Sequence, residues 1–192
     1  TLTSALLANP NPAQVLNLSL GGADPCSQTE QEAVTAIVQD GHLIIAAAGN
    51  DGGPVLAPAN CSGVIAVAGI RHAGTKVGYS NVSSTAAAGT IAAPAGNCVN
   101  LNVYHPWTLP CLYSIDTTSN AGLTVPDTNP ANAFYTYSMM VDGYGGNILN
   151  EGTTGTSYAA PIVSGVAAMM IEANPNMSAA QLTARLMASA TP

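Results

Sequence analysis

Short apolar runs separated by turn residues are the main pattern in the first third of the chain. Residues 15–20, 43–48 and 64–70 are runs of six or seven mostly apolar residues, and the first two end at Gly21 and Gly49. Runs of this length without polar alternation indicate strands that are covered on both faces. We therefore predict three buried strands over these residues.

A helix is predicted over residues 28–40, between the first two runs. Ser27 and Glu30 have the spacing of a capping box, in which a hydroxyl and a carboxylate satisfy free amides of the first turn. Apolar residues then recur at positions 33, 34, 37 and 38, and Gly41 is typical of the residue that follows a helix. Strand, helix and strand in this order form a βαβ unit, so we expect an α/β fold whose parallel sheet is flanked by helices.

The C-terminal part favours two more helices. Residues 159–172 are apolar on nearly every side, which predicts a buried helix, and Gly165 within it predicts close packing against a neighbour. Ser178 is a suitable N-cap for a last helix over about 179–189. Between the two halves, strands are predicted only at 90–93 and 112–116, and the rest of 95–150 is interpreted as ordered loop.

The charge balance narrows the possible partners. Only 7% of the residues are charged, with three Lys and Arg against ten Asp and Glu. Three cations cannot neutralise a phosphate track, so a nucleic-acid partner is excluded. No apolar run approaches the 18 residues of a membrane span, so none is predicted.

The four cysteines favour an oxidising compartment. No two of them form a C-x-x-C pair, which argues against a zinc ribbon or a thioredoxin-type motif. Low charge and many Ser, Thr, Asn and Gly residues are typical of a secreted protein, in which disulfides persist. Three pairings are possible, and four buried thiols are the alternative. We favour Cys98–Cys111, a short clip, together with Cys26–Cys61.

One serine lies where a predicted helix begins. Ser157 follows Gly155 and Thr156 at the start of the C-terminal apolar helix. A hydroxyl in this position would lie among the free amides of the first turn, where the helix dipole favours developing negative charge. The other interpretation is a simple N-cap serine, which is common.

Two other segments could belong to the same site. Asn50 directly follows a buried strand, at the sheet edge where α/β folds bind ligands, and its amide could donate to an oxyanion. Gly21 and Gly22 leave the backbone after the neighbouring strand bare, so an extended peptide could pair with it. Taken alone, each segment could equally be a turn.

Together these segments resemble the subtilisin-like serine proteases, or subtilases. The family has strands that end in S-L-G-G and A-A-G-N, and G-T-S-M-A-x-P around its nucleophile. Residues 19–22, 47–50 and 155–161 match these motifs in the family's order. Three weaker matches lie between them, S-G-V-I-A-V-A at 62–68, G-Y-S-N at 78–81 and A-A-P at 92–94. The resemblance covers about residues 13–94 and 152–190.

The resemblance implies a role for each matching residue. Ser157 would be the nucleophile, and Asn50 would donate to the oxyanion together with the N–H of Ser157. Residues 19–22 would form one wall of the substrate cleft, and 47–49 one wall of the pocket beside the scissile bond. The implied substrate-binding residues are Ser19, Leu20, Gly21, Gly22, Ala47, Ala48, Gly49 and Thr156. A Cys26–Cys61 bond would tie the substrate wall to the oxyanion loop.

The family's general base and its carboxylate have no counterpart in this sequence. In subtilisins they lie in D-T/S-G and H-G-T-H motifs earlier in the chain, and neither motif occurs here. His42, His72 and His105 are poor substitutes, because they lie before a strand, in a polar turn and inside the Cys98–Cys111 loop. The chain is therefore interpreted as the C-terminal part of a catalytic domain, 1–192, with an insertion at about 95–150. A complementary N-terminal part would carry the Asp and His, and the chain alone is expected to be inactive.

Two other functions compete with a peptidase. An α/β-hydrolase would need an Asp and a His after Ser157, and neither follows it. A non-catalytic peptide-binding or structural relative stays open as the alternative. No cofactor and no metal site is predicted in this chain. The resemblance places one calcium site of the family just before 92–94, but Thr90 stands where its Asp would be, and a second calcium loop of the family would lie before Thr1. The expected substrate is a polypeptide and the expected location is extracellular.

Overall fold

A parallel sheet of four strands is the centre of the fold. The computed structural model describes residues 13–83, 90–96 and 154–190, residues 115 and 125, and the backbone of short strands at 118–120, 133–135, 138–141 and 147–150. The central strands lie side by side in chain order, β1 Val15–Leu18, β2 Leu43–Ala47, β3 Val64–Ile70 and β4 Thr90–Pro94, and every neighbouring pair is parallel.

Helices cover both faces of this sheet. They are α1 Gln28–Gln39, α2 Thr156–Ala173 and α3 Ala179–Ser189. The side chains of α1 pack in one apolar cluster, and those of α2 and α3 pack in another. The predicted α/β class, with a parallel sheet between helical layers, is confirmed. In the described ranges, no helix has the length and apolar character needed to cross a bilayer.

The side chains of β2 alternate between the two clusters. Leu43, Ile45 and Ala47 belong to the cluster with α2 and α3, whereas Ile44 and Ala46 belong to the cluster with α1. All five are buried, because each face of the strand is covered by a helical layer. This double burial is the reason that the run shows no polar alternation.

The first helix begins as its sequence predicts. The Ser27 hydroxyl accepts a hydrogen bond from the Glu30 amide at 3.3 Å, and the Glu30 carboxylate accepts one from the Ser27 amide at 2.8 Å. The hydrogen bonds from Ser27, its amide first, lower the pKa of the Glu30 carboxyl. This capping box fixes the point at which the chain turns from the end of β1 into α1.

Two predicted boundaries differ from the structure by more than one residue. The first strand ends at Leu18 rather than at residue 20, because the backbone beyond it leaves β2 and the Gly22 amide bonds the Ala57 carbonyl at 2.8 Å. Helix α2 begins at Thr156 rather than at residue 159, and ends at Ala173. It therefore includes Ser157 in its first turn.

The prediction that α2 is buried all round is wrong for the described structure. Its inner face is buried, but Ile162, Val166 and Met169 are exposed, Met169 by 62%. Gly165 is exposed as well, and a Cβ added there would meet nothing within 4 Å, so the predicted close packing at Gly165 is also wrong. Periodicity shows that a helix face is apolar, but it does not show what covers that face.

The segment interpreted as ordered loop contains four short strands. They form two antiparallel pairs, Thr118–Asn120 with Ala133–Tyr135 and Ser138–Val141 with Asn147–Asn150. In the second pair, a glycine-rich stretch at 142–146 separates two short strands in the sequence, which is a hairpin signal that the sequence analysis missed. The strand predicted at 112–116 falls almost wholly outside the described residues.

One of the two predicted disulfides is confirmed. Cys26 and Cys61 are bonded, with their Cα atoms 5.2 Å apart and a separation of 35 positions in the sequence. The bond joins the segment after β1 to the loop before β3. Cys98 and Cys111, the other predicted pair, lie outside the described residues, so that pairing stays a prediction.

Removing the Cys26–Cys61 bond is expected to destabilise the protein markedly. Closing a loop of this length stabilises by about 4 kcal/mol in the chain-entropy model, so Cys26→Ser with Cys61→Ser should lower the free energy of unfolding by roughly that amount. The measurement is denaturant unfolding of the full-length protein, with Ser62→Ala in the same loop as the control. A loss no larger than the control's would contradict this prediction.

Candidate active site

Asn50 and the start of α2 meet at the carboxyl edge of the sheet. Asn50 lies three residues after the end of β2, and its Oδ1 accepts hydrogen bonds from the Thr156 amide at 2.9 Å and the Thr156 hydroxyl at 3.0 Å. Thr156 immediately precedes Ser157, so the structure brings Asn50 next to the predicted nucleophile, as expected. Because Oδ1 is the acceptor in both bonds, the two N–H donors of Nδ2 are left for another acceptor.

The first turn of α2 supplies backbone donors at the same place. Ser157 is the second residue of the helix and is half-buried. The first four amides of a helix have no intrahelical acceptor. Of these, the Thr156 amide donates to the Asn50 side chain. The Ser157 amide is the next in this row. An anion beside Ser157 would meet the positive end of the helix dipole.

Thr156 links the two segments of the site. Its side chain is fully buried, and its hydroxyl accepts a hydrogen bond from the Gly49 amide at 3.2 Å while it donates to Asn50. Because the hydroxyl is buried and gives its one proton to Asn50, it has no donor left for a ligand in the cleft. Its contacts in the structure therefore hold Asn50 in place.

The side chain of Asn81 holds the loop that carries Asn50 by hydrogen bonds to its backbone. This fully buried side chain accepts hydrogen bonds from the amides of Asp51 at 2.9 Å and Gly53 at 3.0 Å. Gly49 has a φ of 106°, and a Cβ there would lie 2.3 Å from Asn81 Nδ2. Only glycine fits this backbone conformation and this close approach. The sequence analysis noted Asn81 only as part of a matching turn and missed its role as a brace.

A single carbonyl anchors the segment before Ser157. Ala95 O accepts hydrogen bonds from the Tyr79 hydroxyl at 2.5 Å and from the Gly155 amide at 2.9 Å. Burial raises the pKa of the Tyr79 phenol to about 12, so the phenol stays a neutral donor. Gly155 itself has a φ of 146°, which favours glycine, and lies against the Asn50 side chain.

The predicted substrate wall lies beside Ser157. Residues 19–22 are exposed, and the Ser19 hydroxyl donates to the Ser157 carbonyl at 2.7 Å. The side chains of Ala47 and Ala48 are buried, one in each apolar cluster. Any surface that these two alanines offer to a ligand must therefore come from their backbone.

The two histidines of the described residues lie at opposite edges of the sheet. His42 is buried at the other end of β2, where its ring nitrogens bond Ala13 O at 2.8 Å and Asp40 Oδ2 at 3.0 Å. His72 is exposed in the turn after β3, and His105 lies outside the described residues. Among the residues that the structure describes, no cluster of three His, Cys, Asp or Glu side chains could hold a metal ion.

Comparison with protein-family models gives a match along the whole chain. The model described as the Subtilase family, Peptidase S8, matches residues 1–192. Among curated proteins, an "Extracellular protease" of Xanthomonas campestris is 34% identical over 174 residues, which are 90% of this chain but 23% of that protein. Subtilisin DY of Bacillus licheniformis is 28% identical over 96% of this chain and 52% of its own length.

Solved structures of proteases share the fold. A structure described as proteases from Pseudoalteromonas arctica PAMC 21717 matches with a TM-score of 0.72 and 31% identity, over 96% of this chain and 46% of that one. The chain thus spans about half the length of these subtilisin-like relatives, and less of the Xanthomonas protein.

Proposed function

This chain belongs to the subtilase family, and on that premise we propose that it supplies the nucleophile and the oxyanion donor of a secreted serine endopeptidase. The observation that carries the proposal is the pair of hydrogen bonds from Thr156 to Asn50 Oδ1. They hold an amide donor beside the first turn of a helix that contains Ser157. The Ser157 hydroxyl could attack a peptide carbonyl at this sheet edge. The Asn50 amide and the Ser157 N–H could then stabilise the oxyanion that forms.

In the proposed reaction, Ser157 Oγ forms a bond to the scissile carbonyl carbon as its proton passes to a general base. Asn50 Nδ2 and the Ser157 amide then donate to the oxyanion. The carbon–nitrogen bond breaks as the base returns that proton to the leaving amine, and water releases the acyl group in a second round. Thr156 contributes by holding Asn50 rather than by touching the substrate.

The proposed substrate is an extended polypeptide. Ser19, Leu20, Gly21 and Gly22 are exposed beside the first turn of α2, and the two glycines add no side chain that would obstruct pairing. A peptide strand could bond to this backbone by β-augmentation. The backbone of Ala47, Ala48 and Gly49 would form the opposite wall of the pocket.

We propose that a complementary N-terminal part of the same domain supplies the base and its orienting carboxylate. The relatives that match are about twice as long as this chain or longer, and His42 is buried at the opposite end of β2 from Asn50. Within the described sheet β1 is an edge strand, Leu20 just after it is 58% exposed, and Met169 on α2 is 62% exposed. A groove of about 370 Å³ between β1 and α1 is lined mainly by apolar residues. These surfaces suit a partner that adds strands at β1 and covers α2.

Secretion is supported by the chemistry of the chain and by a relative. The Cys26–Cys61 bond needs an oxidising compartment to persist, and the Xanthomonas relative is named extracellular. This can be tested on protein purified from the culture medium. A protease that cleaves after Glu30 and Glu32 would put Cys26 and Cys61 on different fragments. The fragments should then stay joined until a reductant is added.

The isolated chain is expected to show no peptidase activity and no clean monomer. Without an imidazole base the Ser157 hydroxyl stays protonated at neutral pH and is a weak nucleophile. The measurement is turnover of a peptide anilide by residues 1–192, with sedimentation to follow association. The full-length protein under the same conditions is the positive control. Turnover by residues 1–192 that is lost in Ser157→Ala would contradict the need for a complementary part.

A non-catalytic peptide-binding relative is the alternative, because the sequence contains neither the D-T/S-G nor the H-G-T-H motif. Labelling of the full-length protein with a fluorophosphonate, followed by mass spectrometry, decides between the two. A mass added at Ser157 supports the peptidase, since only an activated serine reacts readily. An unlabelled protein that still binds peptides would favour the alternative.

A further inference from the structure

One carbonyl in the first turn of α2 cannot have its normal helical partner. The carbonyl of residue i in a helix accepts from the amide of residue i+4, and the residue four positions after Ser157 is Pro161. Proline has no N–H, and its ring pushes the carbonyl of residue i−4 away from the helix axis. The carbonyl of the proposed nucleophile is therefore free to bond outside the helix.

A chain of side-chain hydrogen bonds ends on this carbonyl. Ser19 Oγ donates to Ser157 O at 2.7 Å and accepts from Asn17 Nδ2 at 2.9 Å. Ser164, farther along α2, contacts Asn17 Oδ1 at 3.1 Å. Because Asn17 supplies a proton to Ser19, the one proton of the Ser19 hydroxyl is directed onward to Ser157.

We propose that Ser19 is a positioning residue for the nucleophile, in which its hydroxyl replaces the helical bond that Pro161 removes. Asn50 holds the amide of Thr156, just before Ser157, and Ser19 holds the carbonyl of Ser157 itself. Anchors on two different strand ends thus fix the backbone on both sides of the nucleophile. This inference rests on the proposed function and gives the Ser19 side chain a task separate from the substrate wall.

A double-mutant cycle in the full-length protein tests this role. Ser19→Ala should slow phosphonylation of Ser157 by a fluorophosphonate about tenfold, the effect of losing one hydrogen bond in the reacting geometry. Pro161→Ala supplies an amide that can bond Ser157 O, so in this background Ser19→Ala should change the rate less than about twofold. For a peptide anilide, Ser19→Ala should lower kcat and leave KM nearly unchanged.

Matched variants separate positioning from folding. Ser19→Thr keeps the hydroxyl and should react at close to the wild-type rate, whereas Ser19→Val, which has the shape of threonine but no hydroxyl, should behave like Ser19→Ala. Ser62→Ala, on another exposed loop, is the control for a serine lost elsewhere. If Ser19→Ala does not fold, a comparison of Ser19→Thr with Ser19→Val still tests whether the hydroxyl positions Ser157.

The possible outcomes distinguish this inference from the proposed function. A wild-type protein that is not labelled at Ser157 would overturn both. A labelled wild-type protein whose Ser19→Ala and Ser19→Val variants react normally would overturn only the positioning role. That role would also fail if Ser19→Ala slowed the reaction by the same factor in the wild type and in the Pro161→Ala background.

Discussion

Ser157→Ala is expected to lower kcat of the full-length protein on a peptide substrate by about 10⁶-fold, a magnitude carried over from a subtilisin that lost its nucleophile. The substitution removes only an oxygen from a half-buried side chain, so the fold should survive. Substrate should still bind, because the proposed cleft walls are backbone. The measurement is kcat and KM for a peptide anilide, with thermal unfolding to show that the variant is folded.

Ser189→Ala is the matched control for this substitution. Ser189 ends α3 and its hydroxyl bonds the Leu186 carbonyl, so it shares the residue type and helical setting without the proposed chemistry. Its activity should equal that of the wild type. A Ser157→Ala variant that keeps more than about 1% of the wild-type kcat would rule out Ser157 as the nucleophile.

Asn50→Asp is expected to lower kcat by about 10²- to 10³-fold or more, again a magnitude carried over from a subtilisin, in which one oxyanion donor was removed. An aspartate keeps an oxygen that can accept from the Thr156 amide, so the start of α2 stays anchored. It replaces the Nδ2 donor by an oxygen that repels the developing charge. The loss should therefore appear in kcat, with KM little affected.

The anchoring role of Asn50 needs its own control. Asn50→Ala removes the donor and also the acceptor for Thr156, so it should lower kcat and in addition loosen the first turn of α2. Hydrogen exchange of the Thr156 amide should be faster in Asn50→Ala than in Asn50→Asp. If Asn50→Asp retains wild-type kcat, the oxyanion role fails even if the anchoring role stands.

Much of the sheet could be predicted because both faces of its central strands are buried. The side chains of residues 43–48 alternate between two apolar clusters. No polar residue therefore interrupts the run, and its apolar length was enough to predict the strand. The capping box at Ser27 and Glu30 likewise fixed the start of α1, since its partners are three residues apart. Both signals depend only on residues close together in the chain, so one sequence is enough to recognise them.

The contacts that build the site could not be predicted in this way. Motif order indicated Ser157 and Asn50, but their link through Thr156 joins residues 106 positions apart and depends on how α2 packs on the sheet. The brace from Asn81 depends on a close approach to Gly49 that no local pattern encodes. The exposed face of α2 was predicted to be buried for a related reason. Its apolar residues indicate that the face could be covered, but the sequence does not show whether another element packs on it.

The long separation between bonded partners at the site also has a kinetic consequence. Thr156, next to Ser157, bonds Asn50 across 106 positions, and the Ser157 carbonyl bonds Ser19 across 138 positions. Bringing such distant residues together costs more loop-closure entropy than forming a helix, whose bonded partners are four residues apart, so α2 can form before its first turn is anchored. In a chain that folds in this order, Ser157 would be on a helix whose first turn is not yet held by Asn50 and Ser19. Under the proposed function, such states would lack the geometry for cleavage, so this order of folding would delay the digestion of neighbouring chains.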